Sequence, residues 1–129
     1  MKLSEVRDIL QAEVLTGDER LSDEVELAFG SDLMSDVLAF VDEKLLLLTG
    51  LTNPQSIRTA EMLDLLAIVF VRGKRPAQET IDLAKKKGFI LLLTGFTMYE
   101  SCGRLYQAGL GALDLKQTND EKKPQEETN

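Results

Sequence analysis

The chain has no histidine and no tryptophan, one cysteine, three prolines and an aromatic content of only 5% over its 129 residues. Each scarcity excludes something. Without histidine the commonest general base and the commonest metal ligand are both missing, and no metal site or catalytic residue is expected. A single cysteine, Cys102, cannot form an internal disulfide, which suits a reducing, cytoplasmic setting. No apolar run approaches the roughly 18 residues that suggest a membrane span. The opening Met1-Lys2-Leu3-Ser4-Glu5-Val6-Arg7-Asp8 is too charged for a typical signal peptide. Positive charge is also short, with 15 Lys and Arg against 22 Asp and Glu and a formal net charge of −7. A phosphate backbone would meet net repulsion, so neither a nucleic acid nor a membrane is expected as partner. The clusters Arg72-Gly73-Lys74-Arg75 and Lys85-Lys86-Lys87 read as a solvated loop and a helix C-terminus, where cations complement the helix dipole.

What is present is a repeat. Leu46-Leu47-Leu48-Thr49-Gly50-Leu51-Thr52 returns as Leu91-Leu92-Leu93-Thr94-Gly95-Phe96-Thr97, six of seven positions matching. Each copy is an apolar run, a Thr-Gly pair, and a small polar residue opening a segment with helical spacing. A hydrophobic fraction of 43% with 29% charged residues fits one soluble globular domain. Periodicity predicts a helix over 3–11 capped by Ser4, a strand over 13–16 and an alternating strand over 25–29. A helix through Met34, Val37, Leu38 and Val41 follows, capped by Ser31 or Asp32. Then come a strand over 45–48, a helix opened by Pro54, a strand over 67–71, a helix over 77–87 stopped by Gly88, a strand over 89–93 and a helix over 97–108. This alternation predicts an α/β domain over 1–113, with a mostly parallel sheet of four to five strands flanked by helices. Residues 114–129 read as a disordered polar tail.

In a parallel sheet the carboxyl ends of successive strands share one edge. That edge would gather Gly30, Ser31 and Asp32, then Thr49, Gly50, Thr52 and Asn53, then Arg72 and Gly73, and finally Thr94, Gly95 and Thr97. Backbone N–H donors, hydroxyls, an amide and one guanidinium suit a phosphate or carboxylate, with Arg72 gripping the anion. Asp32 would accept from a sugar hydroxyl or base amine. The alternative is that Thr52, Asn53 and Thr97 only cap helices and the glycines only permit turns. Gly73-Lys74 is no P-loop, because Ile68 stands where its first glycine belongs, and no Gly-x-Gly-x-x-Gly follows a strand. Cys102 lies on the apolar stripe of its helix with Met98 and Leu105, a core position. Tyr99 and Tyr106, seven residues apart, read as an ordinary partly buried pair, the alternative being a pocket lining or a subunit contact. Leu105, Tyr106, Leu110 and Leu113 form a possible contact surface.

The runs Phe29-Gly30-Ser31-Asp32-Leu33-Met34 and Leu48-Thr49-Gly50-Leu51-Thr52-Asn53-Pro54 resemble the DRTGG domain family. Ala67-Ile68-Val69-Phe70-Val71-Arg72-Gly73 and Thr94-Gly95-Phe96-Thr97-Met98-Tyr99-Glu100 extend the resemblance over roughly residues 3–110. Members of that family are α/β domains fused to phosphotransacetylases and CBS-domain regulators, and are similar to the N-terminal domain of HPr kinase/phosphorylase. Stand-alone versions occur beside iron hydrogenase components. The resemblance implies a regulatory or sensory module and not a kinase, since the P-loop domain is missing. The expected function is non-catalytic binding of a small anionic metabolite or nucleotide, by a chain that forms a homodimer, with no cofactor named by any motif. The alternative is a protein-interaction accessory subunit of a redox, hydrogenase-type or acetate-metabolism complex.

Overall fold

A computed structural model describes residues 1–115; the expected polar tail falls outside the described residues from position 116 onward. In chain order the elements are α1 (Leu3–Leu10), β1 (Glu13–Thr16), a 3-10 turn (Asp18–Arg20), β2 (Leu27–Gly30), α2 (Met34–Phe40) and β3 (Leu46–Thr49). They continue with α3 (Pro54–Met62), β4 (Ala67–Phe70), α4 (Gln78–Lys87), β5 (Ile90–Leu93), α5 (Met98–Gln107) and β6 (Gly111–Ala112). The strands form one six-stranded sheet in the order β1-β5-β4-β3-β2-β6. All neighbours run parallel except β1, which lies antiparallel on β5. The α/β class and the mostly parallel sheet agree with the sequence reading. The sixth strand is a two-residue addition, Gly111–Ala112 beside Leu27 and Ala28, too short to show any periodicity.

Every residue of β3 and β4 is buried, which is why both read as unbroken apolar runs. Successive side chains alternate between two cores. Leu46, Leu48, Ala67 and Val69 point to one face with Leu3, Val6 and Leu10 of α1 and Leu105 of α5. Leu45, Leu47, Ile68 and Phe70 point to the other with Val37 of α2, Ile57 and Ala60 of α3 and Ala84 of α4. Two helices thus cover one face and three the other. Truncating a fully buried residue such as Leu47 to alanine would cost about 2–5 kcal/mol.

Three local expectations are corrected. Ser4 does not cap α1; the helix starts at Leu3, the Lys2 N–H donates to the Glu5 carboxylate at 2.9 Å, and the Ser4 N–H is taken by the Leu21 carbonyl. Neither Ser31 nor Asp32 occupies the cap position of α2, which Leu33 holds. The strand expected from Val25 starts at Leu27, because the Val25 N–H and carbonyl pair with Met1 instead of the sheet. Gly88 stops α4 as expected, in a left-handed conformation at φ 77°.

Candidate functional site

Because β2, β3, β4 and β5 are parallel, the segments leaving their carboxyl ends lie side by side in strand order. The Asp32 segment adjoins the Thr49-Gly50 turn, which adjoins Arg72-Gly73, which adjoins Thr94-Gly95. Hydrogen bonds tie each to the next. The Asp32 carboxylate accepts from the Gly50 N–H at 2.6 Å and from the Thr49 hydroxyl at 3.4 Å. The Arg72 guanidinium donates to the Gly50 carbonyl at 3.2 Å. The Arg72 and Gly73 N–H groups donate to the Phe96 and Thr94 carbonyls at 2.7 and 2.8 Å.

Those bonds correct one expectation. The edge was expected to present free backbone donors, yet the N–H groups of Ser31, Gly50, Leu51, Arg72, Gly73 and Phe96 are all engaged internally. The N–H groups of Thr52, Asn53 and Gly95 take no acceptor among the described residues, and on the depression side chains join those of Thr52 and Asn53. A depression of about 200 Å³ is lined by Asp32, Gly50, Leu51, Thr52, Asn53, Arg72 and Lys74. Two cations stand there against one carboxylate, in a chain whose formal charge is −7. Among the described residues, Lys74 has no ion-pair partner, Thr52 makes no hydrogen bond, and the Arg72 guanidinium uses one donor only. Arg72 also holds a left-handed backbone at φ 68°, followed by Gly73 at 67°. For a residue with a side chain that conformation costs about 1–2 kcal/mol. It is maintained by the two backbone bonds to Phe96 and Thr94.

The remaining expected residues serve the scaffold. The Asn53 side chain caps α3 by accepting from the Gln55 N–H at 3.1 Å, and Thr97 caps α5 by accepting from the Glu100 N–H at 3.3 Å. The Ser31 hydroxyl accepts from the Leu33 N–H at 3.0 Å. The Thr94 hydroxyl is buried and donates to the Leu10 carbonyl at 2.7 Å. Gly30 belongs to the packing beneath α5: a Cβ there would lie 3.0 Å from the Cys102 Sγ and 3.1 Å from the Met98 Sδ. Gly95 lies open, with nothing within 4 Å of where its Cβ would be. Asp32, Gly50, Thr52, Asn53 and Arg72 therefore share the depression, Thr49 supports it from behind, and Gly30, Ser31, Gly73, Thr94, Gly95 and Thr97 do not line it.

No protein-family model matches the chain, and no curated protein does. Solved structures do, and one of them is a regulatory region. It holds the CBS and DRTGG domains of the regulatory region of Clostridium perfringens pyrophosphatase, complexed with the activator diadenosine tetraphosphate. The TM-score is 0.66 at 19% identity, and the match covers 85% of this chain and 47% of that one. The likeness is one of fold, and the chain spans about half the length of that regulatory region.

Lys74 is not distinguishable in the sequence because it sits in a basic loop that resembles any solvated loop. Only the fold separates it, on the depression, from the next residue, Arg75, which pairs with Glu13 at 3.0 Å. A larger, apolar trough of about 640 Å³ lies away from this edge, between α5 and the β2–β6 margin of the sheet. Cys102 lines it, and burial pushes its thiol above the ordinary value. The thiol therefore stays protonated at neutral pH and is a poor nucleophile. No group of three or more Cys, Asp and Glu side chains suited to a metal ion occurs among the described residues. No helix there is long and apolar enough to cross a membrane.

Proposed function

We propose that this chain is a non-catalytic regulatory module, related to DRTGG domains, that binds the anionic end of a small metabolite or nucleotide in the Asp32–Gly50–Arg72 depression. The observation that carries the reading is the Arg72 guanidinium, held in a strained backbone beside the unpaired Lys74 while the only carboxylate present is engaged by Gly50. Strain of this kind persists where surrounding structure enforces it, and it concentrates at binding sites. A depression of about 200 Å³ is smaller than a typical ligand pocket, roughly 300–1,000 Å³, so it suits a phosphate or carboxylate with the rest of the ligand outside. The regulatory region of similar fold, with its bound activator nucleotide, supports the same class. A cytoplasmic location accords with the lone thiol.

The test is a thermal-shift screen of the full chain against nucleotides, acyl phosphates and phosphorylated sugars. A ligand at about 100 times its dissociation constant adds about 2.7 kcal/mol of stability, a visible shift. Calorimetry on Arg72→Ala is then expected to lose about 1.5–3 kcal/mol of affinity, the worth of hydrogen bonds to a charged group. Unchanged affinity removes Arg72 from the site. A flat screen overturns the ligand reading in favour of an accessory subunit acting through protein contacts.

A further inference from the structure

The two faces of the sheet are not covered alike. Three helices spread over one face, whereas α1 and α5 leave the β2–β6 margin of the other bare. The bare margin is the trough, lined along the strands by the small residues Ala28, Gly30, Gly111 and Ala112. Tyr99 and Tyr106 of α5 also line it, 90% and 72% exposed. Of the large apolar side chains exposed among the described residues, only these two border a cavity of that size; Leu33, Leu38 and Met62 do not.

Successive helical residues turn by about 100°, which divides the outer surface of α5 into three strips. Tyr99 and Tyr106 flank the trough. Gly103 runs along the crest, with nothing within 4 Å of where its Cβ would be. Glu100 and Arg104 lie beyond Gly103 on the other side of the crest from the tyrosines, although they too contribute to the trough's lining. They pair with each other at 2.9 Å, and Arg104 lies 4.1 Å over the Phe96 ring. The order of charge along the helix is acid first, base second.

We propose that α5 and its trough are the interface between two copies of this chain, the two helices crossing antiparallel at Cys102–Gly103 about a two-fold axis. Charge and shape single out a second copy as the occupant. Under that operation each flank meets its own counterpart in reversed order. Tyr99 of one protomer then meets its partner's Tyr106 above the adjoining troughs, and Glu100 meets its partner's Arg104, both contacts occurring twice. A parallel crossing would instead set tyrosines against the ion-paired flank. The strip is electrically neutral within a chain of net charge −7, so contact there avoids the general repulsion. Gly103 at the crossing allows close approach of the backbones, and isologous contacts require this self-complementarity. The interface does not depend on the anion reading, because none of the depression's residues lines the trough.

Sedimentation equilibrium of the full chain tests the proposal over a range of concentrations. A reversible dimer is expected. Glu100→Arg and Arg104→Glu should each weaken self-association by about tenfold or more, because like charges then face each other twice. A one-to-one mixture of these two variants should recover the dimer, since both contacts of the mixed pair join opposite charges. Loss of the exposed pair within one helix cannot produce that recovery. Gly103→Leu adds helix propensity where the monomer has open space, so it should fold at least as stably yet dissociate. A chain monomeric at every concentration overturns the proposal, whether the trough takes a different protein or nothing. So does a dimer that tolerates Gly103→Leu, or a mixture that associates no better than either charge variant alone.

Discussion

The Thr49-Gly50 and Thr94-Gly95 turns are near copies in sequence and are used differently. Both close the same local bond: the threonine hydroxyl accepts from the N–H two residues on, at 3.1 Å from Leu51 and 3.3 Å from Phe96. Their remaining partners come from neighbouring strands, and there the copies part. On its outer side β3 meets parallel β2, which delivers Asp32 to the same edge. On its outer side β5 meets antiparallel β1, whose first residue, Glu13, lies opposite Leu93 with the end of α1 just before it. Thr49 therefore reaches an exposed carboxylate, and Thr94 reaches the buried Leu10 carbonyl. Arg72, two residues past the end of the strand between, is held by one turn and leans on the other. Its backbone N–H binds Phe96 and its guanidinium rests on Gly50. One turn is scaffold; the other borders the depression. A single antiparallel strand makes the difference.

The sharpest way to break this comparison is to remove the same hydroxyl from each turn. Thr94→Val leaves the Leu10 carbonyl buried without a partner, and the full desolvation penalty of about 1–3 kcal/mol is expected in urea unfolding. Thr49→Val releases an exposed carboxylate that water can satisfy, so a loss of about 0.5–1 kcal/mol is expected. Equal losses would mean that the two turns are equivalent after all.

A smaller effect, of opposite sign, is expected at Arg72. Glycine adopts a φ of 68° without penalty, while its extra freedom in the unfolded chain costs about 0.4–1 kcal/mol. Arg72→Gly should therefore raise stability by up to about 1 kcal/mol while removing the guanidinium from the depression. More stable but unable to bind is the signature of a residue kept for function. A loss of stability would instead mark Arg72 as part of the scaffold.

The alternation of strands and helices was legible because each central strand is wholly buried and each helix carries an apolar stripe. The shared edge followed from parallelism alone. What was not legible was which groups at that edge stay available. That depends on β1 running backwards, and a four-residue strand carries no mark of its direction. The repeat gives both turns the same expected role at the edge, since identical residues look identical until their neighbours across the sheet are known. Thr52 and Thr97 align in the repeat, yet Asn53 caps α3 and Thr97 caps α5, so the helices start one residue out of step. One side of the trough was legible, since Leu105, Tyr106, Leu110 and Leu113, read as a possible contact surface, all line it; its sheet side was not. Small residues such as Ala28 and Gly111 mark a bare margin only after β6 is seen beside β2.

The finest test adds one methyl group to each turn. At Gly95 a Cβ meets nothing within 4 Å and the backbone is not left-handed, so Gly95→Ala should raise stability by about 0.4–1 kcal/mol through the unfolded chain alone. At Gly50 the same Cβ would stand 2.5 Å from a guanidinium nitrogen of Arg72. That atom is the end of a flexible side chain, so the fold survives and the guanidinium swings away. The entropic gain is offset by the lost bond to the Gly50 carbonyl, leaving stability within about 0.5 kcal/mol of the parent. Affinity for an anion should then fall in Gly50→Ala and stay unchanged in Gly95→Ala, as read by calorimetry. If Gly95→Ala weakens binding as much as Gly50→Ala does, the ligand spans both turns, and the repeat marks two halves of one site.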